Sequence, residues 1–183
     1  IFTVGDSYSA GFGVEKRDDI FPAIVQRTLG DQWTVVNIAK SGWDSVHEFE
    51  ALSAYPRKPD LIVLTHVVND FSHVWHELSY QTDESPEIPP LLASIYSRSY
   101  FLNFLTVRCV TIYKMFFGKR QNYLGFVQKS YKDDETWQYH QKVLDKFVIY
   151  ARENDARLIV LVFPRLDQIA KTAQVTDRVA RYF

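Results

Sequence analysis

Four short runs rich in Val and Ile, each bounded by Gly, Pro or Asp, limit most strongly what this chain can become. They occupy residues 1–5, 33–39, 61–68 and 157–163. Such nearly continuous apolar runs fit strands buried on both faces, not strands with one wet face. Between them the apolar spacing changes to that of a helix. Ile20, Phe21, Ile24, Val25 and Leu29 share one face, with Pro22 in the first turn. Val46, Phe49 and Leu52 do the same within residues 45–54. Val143, Leu144, Phe147, Val148, Tyr150 and Ala151 do so within 137–151. Strands alternating with helices predict βα units on a parallel sheet covered on both faces, an α/β fold.

Residues 71–135, between the third strand and the third helix, break the alternation. The stretch contains a Pro-rich, acidic turn region, Asp83-Glu84-Ser85-Pro86-Glu87-Ile88-Pro89-Pro90, followed by an aromatic helical pattern over 91–117. It far exceeds the roughly 2–6 residues of an ordinary βα loop, and reads as a helical insertion or lid. One reading packs it as a hairpin on the sheet edge. Another makes it a lid that shapes an acyl pocket or meets an anionic interface. A membrane span is excluded, because Arg98, Arg108 and Lys114 would each cost about 2.5–3.5 kcal/mol at the bilayer centre.

With 183 residues and 46% hydrophobic side chains, the chain can bury one domain's core without disulfides. A single cysteine, Cys109, rules out an intramolecular disulfide framework and most multi-cysteine metal sites. The net charge of −1 argues against a generic nucleic-acid partner. That total hides an uneven distribution: residues 1–87 carry 14 acids against 6 bases, whereas 88–132 carry seven bases and no acid. Residue 1 is already strand-like and residue 183 stops inside a helical pattern without a cap. The expectation is therefore one domain over 1–183, truncated at both ends.

The segment Gly5-Asp6-Ser7-Tyr8-Ser9-Ala10-Gly11-Phe12-Gly13 follows the first strand directly. Ligands of parallel sheets bind at the carboxyl ends of strands, which is where Ser7 falls. Gly5 would allow a sharp turn presenting the Ser7 hydroxyl outward as a nucleophile. A helix-capping loop or a phosphate cradle would use similar residues. Gly42, after the second strand, and Asn69, at the end of the third, fall on the same edge. A glycine N–H and an asparagine amide are the donors that a developing oxyanion needs.

Gly5-Asp6-Ser7-Tyr8-Ser9, then Gly42, then Asn69-Asp70 resemble blocks I, II and III of the SGNH, or GDSL, hydrolases. The flanking Phe21-Pro22, Val36-Asn37-Ile38-Ala39-Lys40-Ser41-Gly42-Trp43 and Lys58-Pro59-Asp60-Leu61-Ile62-Val63-Leu64 are similar too. The likeness covers residues 1 to about 70 and resumes weakly at 156–164. It implies a flavodoxin-like three-layer α/β/α sandwich with Ser7 as nucleophile. The Ser7 N–H, Gly42 N–H and Asn69 side chain would form the oxyanion hole, with no metal or cofactor. Asp6 would brace the loop and Asp70 would be structural. Val67 departs from the pattern, since glycine often stands two residues before the Asn.

The same resemblance implies a general base in an Asp-x-x-His string near the C-terminus, which serine needs to be a competent nucleophile. No histidine follows the fourth strand, so that block is expected beyond Phe183 and this piece alone would be inactive. Asp44-Ser45-Val46-His47 and Asp70-Phe71-Ser72-His73 match the string by spacing. His47 should face solvent and His66 the core, with His76 and His140 at the surface. The expected function is a serine esterase or acyl hydrolase, taking a small-molecule, carbohydrate or lipid ester through an acyl-enzyme. An O-acyltransferase passing acetyl to or from carbohydrate would use the same site. A non-catalytic relative binding glycan or lipid would keep only the fold.

Overall fold

The computed structural model describes residues 1–77, 123–165 and 169–183, together with residues 100, 101, 104, 105 and 108. The chain divides into two units, residues 1–80 with 127–183, and residues 81–126. The sheet belongs to the first. The Pro-rich turn at 83–90 and most of the aromatic segment at 91–117 lie outside the described residues.

Four strands form the sheet: β1 (Phe2–Gly5), β2 (Val36–Ala39), β3 (Leu61–Val67) and β4 (Arg157–Phe163). All pairs are parallel and the order is β2-β1-β3-β4, the flavodoxin-like arrangement. The helices among the described residues are α1 (Ser7–Ala10), α2 (Phe21–Leu29), α3 (Ser45–Ser53), α4 (Ser72–Glu77), α5 (Tyr123–Lys132), α6 (Asp134–Glu153) and α7 (Ile169–Tyr182). They cover the sheet on both sides, completing the α/β/α sandwich.

Side-chain alternation along the strands decides what each face holds. Phe2 and Val4 of β1, Ile38 of β2, and Ile62 and Leu64 of β3 pack with Leu52 of α3 and with Val143, Phe147 and Ala151 of α6. Each fully buried side chain of this kind contributes about 1.5–3 kcal/mol. On the opposite face Thr65 of β3 hydrogen-bonds Ser9 of α1 at 2.8 Å and donates to the Val4 carbonyl at 3.1 Å.

Two elements start more than one residue away from the sequence reading, for local reasons. β2 starts at Val36, not at Trp33, because the preceding backbone is held by a side chain. Gln26 of α2 accepts from Val35 N and donates to the Trp33 carbonyl. α6 starts three residues before the expected Trp137. Asp133 caps it by accepting from Thr136 N at 2.9 Å, and Asp134 and Glu135 in the first turn suit the positive end of the helix dipole.

Candidate active site

β2, β1 and β3 are neighbours, so the segments leaving their carboxyl ends lie side by side. They carry Gly42, Ser7 and Asn69 respectively. Gly5, the last residue of β1, has no positive φ. It must be glycine for a different reason from the sharp turn expected: a Cβ there would overlap the Thr65 hydroxyl and stand 2.9 Å from Ser9 Oγ. The close approach of β1 to β3 and α1 fixes where α1 begins. Asn37 of β2 adds a second tie, donating to the Ser9 carbonyl at 2.8 Å while accepting from Thr3 Oγ1 at 3.1 Å. α1 ends at Gly11, whose φ of 78° is left-handed.

Asp6 is 1% exposed and caps α1, its Oδ1 accepting from Tyr8 N at 3.0 Å. Its Oδ2 accepts twice, from Ser7 Oγ at 3.0 Å and from Asn69 Nδ2 at 3.0 Å. One buried carboxylate oxygen thus holds both the serine hydroxyl and the asparagine amide, and both side chains are half-buried. The second amide hydrogen of Asn69 is left to donate elsewhere. Gly42 is exposed, with φ 85° and open space where a Cβ would be, so there the backbone conformation requires glycine.

Asn69 sits in a short 3-10 turn, Val68–Phe71, that Asp70 secures from beneath. Asp70 Oδ2 accepts from Val67 N at 2.8 Å, and its backbone carbonyl contacts His73 Nδ1 at 3.0 Å. Burial pushes the Asp70 carboxyl up to about 6, against the opposing pull of His66, whose Nδ1 lies 3.2 Å away. His66 Nε2 meets the Tyr131 hydroxyl at 3.2 Å. Behind this turn lies a buried group. The His140 ring is 5.1 Å from that of His66, 5.3 Å from His73 and 4.6 Å from Phe71. Burial lowers His73 to about 4 and His140 well below its ordinary range. Glu48 is buried too, and desolvation followed by the nearby Asp70, Asp6 and Asp44 raises it well above the usual carboxylate range. At His73, His140 and Glu48 burial favours the neutral form, so these side chains pack as core. Among the described residues, no group of three His, Cys, Asp or Glu side chains is placed to hold a metal ion.

The histidines are now placed. His47 is 58% exposed in its side chain, and its Nδ1 lies 2.7 Å from Asp44 Oδ1. Asp44 also caps α3 and accepts from Ser72 Oγ at 3.1 Å; burial raises its carboxyl, but the side-chain and backbone bonds from His47 outweigh this and leave it lowered. In the second string, His73 bonds the backbone of Asp70 and not its carboxylate. His66 is in the core as expected. His140 is not at the surface: it is fully buried. The spacing Trp137, His140, Leu144, Phe147, Ala151 puts it on the buried face of α6, a signal legible in the sequence. The side chain of His76 lies outside the described residues.

No family model matches the chain, and no curated protein matches it. Among solved structures, the crystal structure of TesA is similar, with a TM-score of 0.50 and 19% identity, over 99% of this chain and 72% of that one. At that identity the likeness is one of fold, and it agrees with the parallel β2-β1-β3-β4 sheet described above.

Proposed function

We propose that this chain carries the nucleophile and oxyanion donors of a serine ester hydrolase of the SGNH, or GDSL, type. The observation that carries the reading is the shared Asp6 oxygen. It keeps the Ser7 hydroxyl and the Asn69 amide within one small volume at the carboxyl edge of the sheet. The motif blocks around Ser7, Gly42 and Asn69 support it, as does the fold likeness to TesA.

In this reading Ser7 Oγ attacks the ester carbonyl, and the carbonyl oxygen becomes an oxyanion. The N–H groups of Ser7 and Gly42 and the free amide hydrogen of Asn69 stabilise it. The ester C–O bond breaks, the alcohol leaves with a proton, and the acyl group remains on Ser7. Water then attacks, releases the carboxylic acid and restores the hydroxyl. Asp6 holds the serine proton in the resting state and aims Asn69. In the SGNH pattern the base is the His of an Asp-x-x-His string, and among the described residues no histidine hydrogen-bonds Ser7. The Asp44–His47 pair has the form of such a dyad, but its hydrogen bonds run to α3 and Ser72, not to Ser7.

The test is turnover of p-nitrophenyl esters by the full-length protein, with Ser7→Ala beside it. A loss of at least about 10³-fold is expected, and up to about 10⁶-fold on the scale of removing a serine nucleophile. Wild-type turnover in the variant would refute the reading.

A further inference from the structure

The edge that carries Ser7 differs on its two sides. Toward β2, the exposed residues are Lys40, Ser41 and Gly42, followed by the Asp44–His47 pair with its imidazole in solvent. Toward β4 the edge is aromatic. Tyr8, the residue after Ser7, stacks on Phe163, the last residue of β4, with ring centroids 5.7 Å apart and planes 30° apart. β4 is not the neighbour of β1, because β3 lies between them. Phe163 is in register with Val67, two residues before Asn69. The stacked pair therefore reaches across the end of β3, from the helix that begins at Ser7 to the strand beyond Asn69.

This pair is not closed off as core. Tyr8 is 36% exposed and Phe163 is half-buried. Phe12 and Val14, just past the end of α1, are exposed at 80% and 43%. Large apolar side chains left wet beside a reactive group form a surface that a ligand's hydrocarbon can cover.

Resting on the ester-hydrolase reading, we propose that the Tyr8–Phe163 pair is the wall on which the substrate's acyl chain lies. It would favour apolar acyl chains several carbons long over acetyl. The acyl group stays bonded to Ser7 Oγ from departure of the alcohol until water restores the hydroxyl. A wall beside Ser7 therefore serves both steps, whereas the alcohol is present only in the first. The polar side toward β2 remains for the alcohol. Fully burying a methylene is worth about fourfold in rate or affinity, and a wall covers one side of a chain, so about twofold per methylene is expected. From two to six carbons that is roughly 16-fold.

The experiment treats the full-length protein with p-nitrophenyl n-alkylphosphonates bearing two- to eight-carbon chains. The Ser7 Oγ–P bond forms as the P–O bond to p-nitrophenol breaks, and the serine proton leaves with the phenol. The rate of adduct formation on the Ser7 peptide is followed by mass spectrometry. The wild-type rate should climb with chain length, and Tyr8→Ala and Phe163→Ala should flatten that climb to less than about threefold. The long-to-short ratio within one variant does not depend on how much of it is folded. Tyr8→Leu, which keeps an apolar side chain, should retain most of the slope. Labelling of Ser7 without chain-length dependence, or a slope unchanged in both alanine variants, would overturn the wall and leave the nucleophile standing. Absence of any Ser7 adduct would overturn both.

Discussion

Replacing Gly5 by alanine tests how Ser7, the proposed nucleophile, is positioned. The new Cβ would overlap the Thr65 hydroxyl and press on Ser9 Oγ at 2.9 Å. Thr65 and Ser9 are buried, and their hydroxyls bond each other at 2.8 Å while Thr65 also donates to the Val4 carbonyl. Overpacking a core of this kind costs about 1–3 kcal/mol. If both hydroxyl bonds break, roughly another 1 kcal/mol each is lost. The total, about 3–5 kcal/mol, is a large part of the roughly 5–15 kcal/mol that holds a domain folded. Urea unfolding of Gly5→Ala should show a lower midpoint at unchanged slope. Thr65→Ala removes the obstructing hydroxyl, so the double variant should be more stable than the two single losses imply, by at least about 1 kcal/mol. A Gly5→Ala protein within about 0.5 kcal/mol of wild type, or strictly additive losses, would refute the close-approach argument.

Asn69→Ala should lower kcat by about 10²–10³-fold, the usual effect of losing one oxyanion donor, with a stability change of only about 1 kcal/mol. A threefold change in ester turnover would remove Asn69 from the hole. His47→Ala should leave turnover within about threefold, because Asp44 keeps its cap and its bond to Ser72; a drop of about 10³-fold would make His47 the base. His140→Phe should be neutral or stabilising, since both ring nitrogens of this buried histidine lack partners among the described residues. It also carries a pH signature. The folded protein holds His140 neutral while the unfolded chain takes up a proton below the ordinary value of 6.5, so acidification costs the wild type stability that the variant keeps. The variant's advantage in unfolding midpoint should widen as pH falls from 7 to 5, by up to about 1.4 kcal/mol per unit below the histidine's ordinary pKa. A flat difference would contradict neutral burial.

The strands, and the sheet edge on which Ser7, Gly42 and Asn69 fall, were legible because parallel strands buried on both faces leave unbroken apolar runs. Arg157–Phe163 appears with the bounds the sequence pattern predicts. What escaped was set by contacts distant in sequence. That Gly5 is glycine because of Thr65, 60 residues away, follows from the β1–β3 register and not from any local pattern. The second hydrogen bond accepted by Asp6 Oδ2 needs Asn69 brought across the sheet, so Asp6 read only as a brace for its own loop. Gln26 shortening β2 is a side chain standing in for a ladder partner, which strand propensity does not register. His140 is different in kind: its place on the α6 stripe was visible, but a polar residue type weighed more than its position.

The account turns on Ser7 as the atom that takes the acyl group. Incubating the full-length protein with a slowly hydrolysed p-nitrophenyl ester, quenching with acid and mapping the digest by tandem mass spectrometry measures this directly. The account predicts the mass of one acyl group on Ser7, absent in Ser7→Ala and reduced in Asn69→Ala. An acyl group found on another residue, or turnover with Ser7 unmodified throughout, would contradict it.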